Sequence, residues 1–224
     1  MTTPAPGLVA RRWRSRRSAA FAGILFAVLL IAALVMLRRA VAGETVGQIE
    51  LDPGRRALVR LSLNLVPFAG IAFLWFIGVV RDQLGEVEDR LFSTVFLGSG
   101  LLFLAMLFQG AVTATSLVAM ASGNDLDAGV WTFGRDTTES LISVYAMRMA
   151  AVFTLSVSTV ALRTAAVPRW VPFSGYGVAL VLLLVAGEHK WAQLLFPAWV
   201  LVLSIAILLT PAHARPATAA TDVR

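Results

Sequence analysis

Six apolar stretches of this chain are long enough to cross a lipid bilayer, and they limit the fold more than any other feature. The hydrocarbon core of a bilayer is about 30 Å thick, which takes about 20 residues of α-helix at about 1.5 Å each. The fourth stretch contains Arg148, while no stretch contains an aspartate. The predicted spans are residues 19–37, 61–80, 91–121, 141–162, 171–187 and 191–210.

These spans predict an all-α, polytopic transmembrane helix bundle. In lipid, the backbone polar groups are satisfied only in helices or closed barrels, and a barrel would show short alternating segments instead. Composition agrees, because only 14% of the residues are charged, against about 25% in soluble domains. The membrane domain is expected at 19–210. It lies between a disordered basic tail at 1–18 and a disordered tail at 211–224 that is rich in alanine, proline and threonine.

An alternative interpretation of the first span is that it belongs to a signal peptide. A basic segment precedes it, and Ala40-Val41-Ala42 resembles a cleavage site. However, its apolar stretch exceeds the roughly 7–15 residues of a signal peptide, and Arg38 and Arg39 intervene before the site. We therefore expect this segment to be retained as a membrane helix.

The distribution of basic residues predicts that both termini lie in the cytoplasm. Cytoplasmic loops carry an excess of lysine and arginine, and this orientation places eleven arginines inside against seven basic residues outside. The first outer loop, which holds five arginines, runs against the trend. The net charge of +6 indicates membrane contact rather than nucleic-acid binding, because cations beside a span contact anionic lipid headgroups. Such contacts are expected at Arg11, Arg12, Arg14, Arg16 and Arg17.

Arg148 is the most informative position for function. It lies about 10 Å from the end of its predicted helix, and exposing its guanidinium to lipid would cost about 2.5–3.5 kcal/mol. The side chain is therefore expected to face other helices or a wet cavity. Tyr145 shares its helix face.

Polar residues on the second and third spans are candidates to complete a pocket around this arginine. Antiparallel neighbours would bring Thr113 near the depth of Arg148, with Asn64 a little above and Gln109 a little below. One interpretation is a site for a small anion or carboxylate. The other is interhelical packing, in which amides, hydroxyls and the arginine satisfy one another. The predicted pocket consists of Arg148, Asn64, Gln109, Thr113 and Tyr145.

No complete catalytic, cofactor or metal motif is present in the sequence. The chain has no cysteine, and its two histidines, His189 and His213, lie outside the spans, so a bis-histidine haem is not expected. Ser99 lies between two glycines but has no histidine base on another span, as intramembrane serine proteases require. We therefore expect no enzymatic activity, no cofactor and no metal site.

Two charged segments and one internal similarity leave further alternatives open. The carboxylates of 81–90 are candidates for a divalent cation or a cytoplasmic partner, although a solvated inner loop with topology-setting arginines at its ends is the favoured explanation. The segment 188–190 is either a proton-handling group or a tight outer turn. Residues 66–70 and 171–175 share the pattern Val-Pro-Phe-x-Gly, which suggests an inverted repeat of the kind seen in transporters or a chance match.

Three short motifs carry a family resemblance. They are Arg81-Asp82-Gln83-Leu84-Gly85 with Glu88-Asp89-Arg90, Arg163-Thr164 with Pro168-Arg169-Trp170, and Phe196-Pro197-x-Trp199-Val200-Leu201. Through them, residues 20–210 resemble uncharacterised multi-pass membrane proteins of actinobacteria and related bacteria. The resemblance implies six helices in a bacterial cytoplasmic membrane and assigns no site.

The sequence thus favours a non-enzymatic membrane accessory or interaction protein. Its partner would be another membrane protein or a second copy of the chain. The alternative is a small-solute transporter or channel for an anion or carboxylate, which would use the pocket around Arg148.

Overall fold

The fold is all-α throughout the described residues, as the spans predicted. The computed structural model describes residues 6–41, 53–84, 90–121, 127–164, 167–189 and 191–210. The helices are α1 (Pro6–Val41), α2 (Pro53–Leu84), α3 (Arg90–Ala121), α4 (Ala128–Glu139), α5 (Met147–Thr164), α6 (Trp170–Val185) and α7 (Leu195–Leu209).

Two shorter elements connect these helices. A π-helical segment, Ser140–Ala146, joins α4 to α5, so that Ala128–Thr164 forms one continuous rod of 37 residues. A 3₁₀ turn, Ala192–Leu194, leads into α7. Within the described ranges, five helices are long and apolar enough to cross a bilayer, and the apolar α6 is shorter. The protein is therefore a multi-pass transmembrane helix bundle.

Three helices extend beyond the predicted spans, and one of them is α2, which begins at Pro53, eight residues before its predicted span. α1 begins at Pro6 and so is helical where a disordered tail was expected; proline is well tolerated at the first position of a helix, and a stable span allows the helix to propagate outward. α4 occupies much of the predicted loop 122–140. Asp127 caps it, because its carboxylate accepts the N–H of Gly129 at 2.8 Å. Predictions for 42–52, 85–89, 122–126 and 211–224 fall outside the described residues.

The helices form a ring in chain order. α1 packs against α2 and α7, α2 also contacts α3, α3 contacts the rod, and α6 bridges α5 and α7. Neighbours in sequence are thus neighbours in space, as expected where connections are short. The contact between α1 and α7 closes the ring.

Phenylalanine fills the centre of this ring. The ring centroid of Phe73 on α2 lies 4.5 Å from Phe26, 5.2 Å from Phe103, 5.0 Å from Phe153 and 5.8 Å from Phe196. All five side chains are fully buried. Because α1, α2, α3, α5 and α7 each contribute a ring, the aromatic cluster joins five helices into one apolar core.

Glycines set the close approach of α3 to its neighbours. A Cβ atom on Gly100 would lie 2.7 Å from Cδ1 of Ile77 on α2 and 3.2 Å from the ring of Phe153 on α5. A Cβ atom on Gly110 would lie 2.5 Å from Cγ1 of Ile142 in the π segment. Small residues at helix crossings allow backbones in lipid to pack closely. These contacts also fix the antiparallel register of α3 against the rod.

Candidate functional site

Arg148 lies on the surface of the bundle and not in its core. It is the second residue of α5, and its side chain is exposed. Phe153 on the same helix points into the aromatic core, and five residues at about 100° each place Arg148 on nearly the opposite side. The expectation that Arg148 faces other helices is therefore not met. Helical spacing defines which residues share a face, but in a membrane both faces are apolar, so the pattern does not say which face is buried.

The turn between α6 and α7 shows how deep Arg148 lies. We call this end of the bundle the outer end, after the predicted topology. Gly187, with a φ of 97°, packs against Val144 of the π segment. Arg148 therefore lies about one helical turn, roughly 6 Å, further into the bilayer than this turn. At that depth an arginine can extend its stem along the protein and place its guanidinium among headgroups, which lowers the cost of about 2.5–3.5 kcal/mol for a central charge.

The other residues of the predicted pocket also lie on the surface. Asn64, Gln109 and Tyr145 are exposed, and Thr113 is half-buried. The hydroxyl of Thr113 donates to the carbonyl of Gln109 at 2.9 Å, within its own helix. The contact of α3 with the π segment places Gln109 above Arg148 rather than below it. The five residues lie on α2, α3, the π segment and α5, toward the outer end of the bundle, but do not enclose a cavity.

A polar cluster at the outer end joins three distant parts of the chain, and the sequence analysis did not predict it. The guanidinium of Arg38, at the end of α1, lies over the ring of Trp191, 5.2 Å from its centre. Glu139, at the end of α4, is close enough to act electrostatically on Arg38. Gln193 donates a hydrogen bond from its amide to the hydroxyl of Ser143, and both side chains are buried. We name Arg38, Glu139, Ser143, Trp191 and Gln193 the outer-end cluster.

The π segment lies within this cluster and determines which side chains enter it. Its wider turn directs Ser143 inward to the hydrogen bond with Gln193, while Tyr145 remains 56% exposed. π-helical turns are rare and occur frequently at functional sites. The outer end is therefore the best candidate for a functional region. Sequence signals for it were weak: Trp191 and Gln193 lie at the start of the last predicted span, but nothing in their spacing identifies the helices that they contact.

A shallow, open concave surface lies near this region. It runs along α4 and the π segment and is lined by Thr132, Phe133, Asp136 and Tyr145, among others of the same rod. Phe133 is 75% exposed. In the described ranges, no three side chains of histidine, aspartate or glutamate are grouped to hold a metal ion. The arrangement offers a contact surface rather than an enclosed pocket.

No protein-family model, curated protein sequence or solved structure matches this chain. The class that the fold defines is a multi-pass transmembrane helix bundle with a closed aromatic core.

Proposed function

We propose that this protein is a non-enzymatic accessory protein of a bacterial cytoplasmic membrane, which acts by contact with another membrane component. The observation that carries the proposal is the phenylalanine core at the centre of the helix ring. Because this core is closed, we place the function of the protein on the surface of the bundle.

The core is unsuited to the passage of a solute. Transport sites near the middle of a membrane are built from polar side chains, unwound backbone or bound water. Here the centre of the ring consists of phenylalanine side chains that are fully buried, with Phe73 in contact with rings from four other helices. The buried polar side chains in the described residues carry no charge: they are Ser62, Ser99, Ser143, Thr154, Ser156, Ser158, Gln193 and Ser204.

The prolines do not interrupt the helices. α2 continues through Pro67 to Leu84, and Pro197 lies in the first turn of α7, where proline is tolerated. Discontinuous helices at a central binding site are a feature of many transporters. The alternative of an anion transporter that uses Arg148 would therefore require a rearrangement of the ring.

The end of the bundle opposite the outer-end cluster is basic, which fits the proposed orientation with both termini in the cytoplasm. Arg17, Arg81 and Arg169 are exposed at the end opposite the outer-end cluster, and the helical extension of α1 carries the further arginines between 11 and 16. Cations on the cytoplasmic side of a span contact anionic headgroups. We include this contact with anionic lipid, and cytoplasmic termini, in the proposal.

Site-specific photo-crosslinking tests the proposed role. A photoreactive residue would replace Trp75 on α2 (71% exposed) or Leu184 on α6 (72% exposed), one variant at a time, in the native membrane. The fully buried Phe73 is the matched control position. The proposal predicts one reproducible protein adduct from a surface position and none from Phe73. The absence of any protein adduct from the surface, together with anion uptake by proteoliposomes of the purified protein, would refute it.

A further inference from the structure

Arg148 and Tyr145 form an exposed polar pair on an otherwise apolar surface. Tyr145, near the end of the π segment, precedes Arg148, near the start of α5, by three residues along the rod. Both are exposed. We propose that this pair binds the phosphate group of a phospholipid in the outer leaflet. The proposal concerns a lipid site and does not depend on the accessory role.

The chain itself offers no carboxylate to Arg148 within the bilayer. None of the six predicted spans contains an aspartate or a glutamate. The nearest acidic residue along the rod, Glu139, lies about two and a half turns further out, beside Arg38. Glu188, exposed in the α6–α7 turn beside Gly187, lies about one helical turn from Arg148, so the external anion that we propose competes with this carboxylate for the guanidinium.

A lipid phosphate is the anion that fits the depth and the chemistry. Arg148 lies about 6 Å below the α6–α7 turn, which is within the reach of an arginine side chain directed toward the headgroups. The planar guanidinium donates two parallel hydrogen bonds to phosphate oxygens, and such charge-assisted pairs are stronger than neutral hydrogen bonds.

Neighbouring residues would contact both the headgroup and an acyl chain of the lipid. The hydroxyl of Tyr145, on the headgroup side of Arg148, supplies a further donor, and tyrosine is typical of this interfacial level. Gln109 on α3 is exposed near the same level and can add its amide. On the other side of Arg148, Val152 and Leu155 continue the same helix face inward and are partly exposed. They provide an apolar wall for an acyl chain.

Native mass spectrometry of delipidated protein tests the site. The full-length protein in detergent would be titrated with phosphatidylglycerol, and the bound fraction compared between wild type, Arg148→Gln and Tyr145→Phe. Arg135→Gln is the matched control, because Arg135 is exposed on α4 and loses the same charge. We expect Arg148→Gln to weaken phosphatidylglycerol binding about tenfold, as for the loss of one bidentate charged pair. Tyr145→Phe should weaken it several-fold, and Arg135→Gln should leave it unchanged.

A second titration separates a lipid from a free anion. Thermal unfolding would be followed with phosphatidylglycerol or with sodium phosphate at matched ionic strength. Stabilisation of the wild type by the lipid alone supports a site for an intact phospholipid. Equal stabilisation by sodium phosphate would overturn the lipid assignment in favour of a free-anion site. The proposal would be overturned if Arg148→Gln and Arg135→Gln bound the lipid equally well. If Arg148→Gln does not fold, an unchanged lipid affinity in Tyr145→Phe would overturn it instead.

Discussion

Arg38 and Trp191 meet at the outer end of the bundle, with the guanidinium 5.2 Å from the centre of the indole ring. The two residues are far apart in sequence: Arg38 directly follows the first predicted span, and Trp191 begins the last. Their contact lies where α1 packs against α7. It therefore helps to close the ring of helices around its aromatic core.

Trp191→Leu should lower the stability of the protein by removing this cation–π contact. For a ring that is 67% exposed, the expected loss is about 0.5–1 kcal/mol. Thermal unfolding in detergent measures it, with Trp170→Leu as the control, since Trp170 is similarly exposed at the opposite end of α6. Equal stability losses in the two variants would show that the contact with Arg38 contributes nothing.

Ser143→Ala should leave the buried amide of Gln193 without its partner. The cost of an unsatisfied buried amide is about 1 kcal/mol, toward the lower end of the usual range because hydrogen bonds between membrane helices are weak. Ser62→Ala is the control, because the buried hydroxyl of Ser62 bonds only to the carbonyl of Val59 on its own helix. Unfolding in a denaturing detergent titration measures both. A larger effect for Ser62→Ala than for Ser143→Ala would contradict this account of the outer-end cluster.

Gly100→Ala and Gly98→Ala should act in opposite directions although only Ser99 separates the two positions on α3. A methyl group at Gly100 meets Ile77 and Phe153, whereas nothing lies within 4 Å of the corresponding position at Gly98. Overpacking costs about 1–3 kcal/mol, while replacing a helical glycine with alanine at an open position gains up to about 1 kcal/mol. The melting temperature of each variant, compared with that of the wild type, shows whether the change stabilises or destabilises the protein. Destabilisation by both substitutions would contradict the packing of α3 described above.

Phe73→Ala should destabilise the bundle more than any of these changes. It removes the ring that contacts four others at the centre of the core. In soluble cores, Phe→Ala costs about 3–5 kcal/mol. In lipid, burial of a side chain gains nothing from leaving water, so only the loss of packing destabilises the protein. We therefore expect Phe73→Ala to lower the stability by about 3 kcal/mol. Phe68→Ala, on the exposed face of α2, should cost little by the same unfolding assay.

The helical class and the positions of the spans could be predicted from sequence, because long apolar segments have few alternatives in lipid. α3 illustrates this: its predicted span 91–121 agrees closely with Arg90–Ala121. The extension of α4 into a predicted loop could not be found in this way. Its residues between Ala128 and Glu139 are mostly polar or exposed, so a search for apolar length passes over them.

The candidate site was less predictable than the fold. Helical spacing grouped Tyr145 with Arg148 on one face, and both side chains are exposed. It did not show that this face points outward, because apolar residues surround it on both sides. The pairing of Gln193 with Ser143, and of Arg38 with Trp191, depends on how distant helices pack. No local pattern encodes such contacts.

Cysteine accessibility gives the most direct test of the central claim, a closed aromatic core with no aqueous path. The chain contains no cysteine, so single substitutions need no altered background. A water-soluble thiol reagent would be applied to the protein in membranes with cysteine at Ala69 or Ala150, both fully buried, or at the exposed Ser140. The account predicts rapid modification at Ser140→Cys and protection at both core positions. Modification of Ala150→Cys at a rate close to that of Ser140→Cys would reveal a water-filled route and contradict the account.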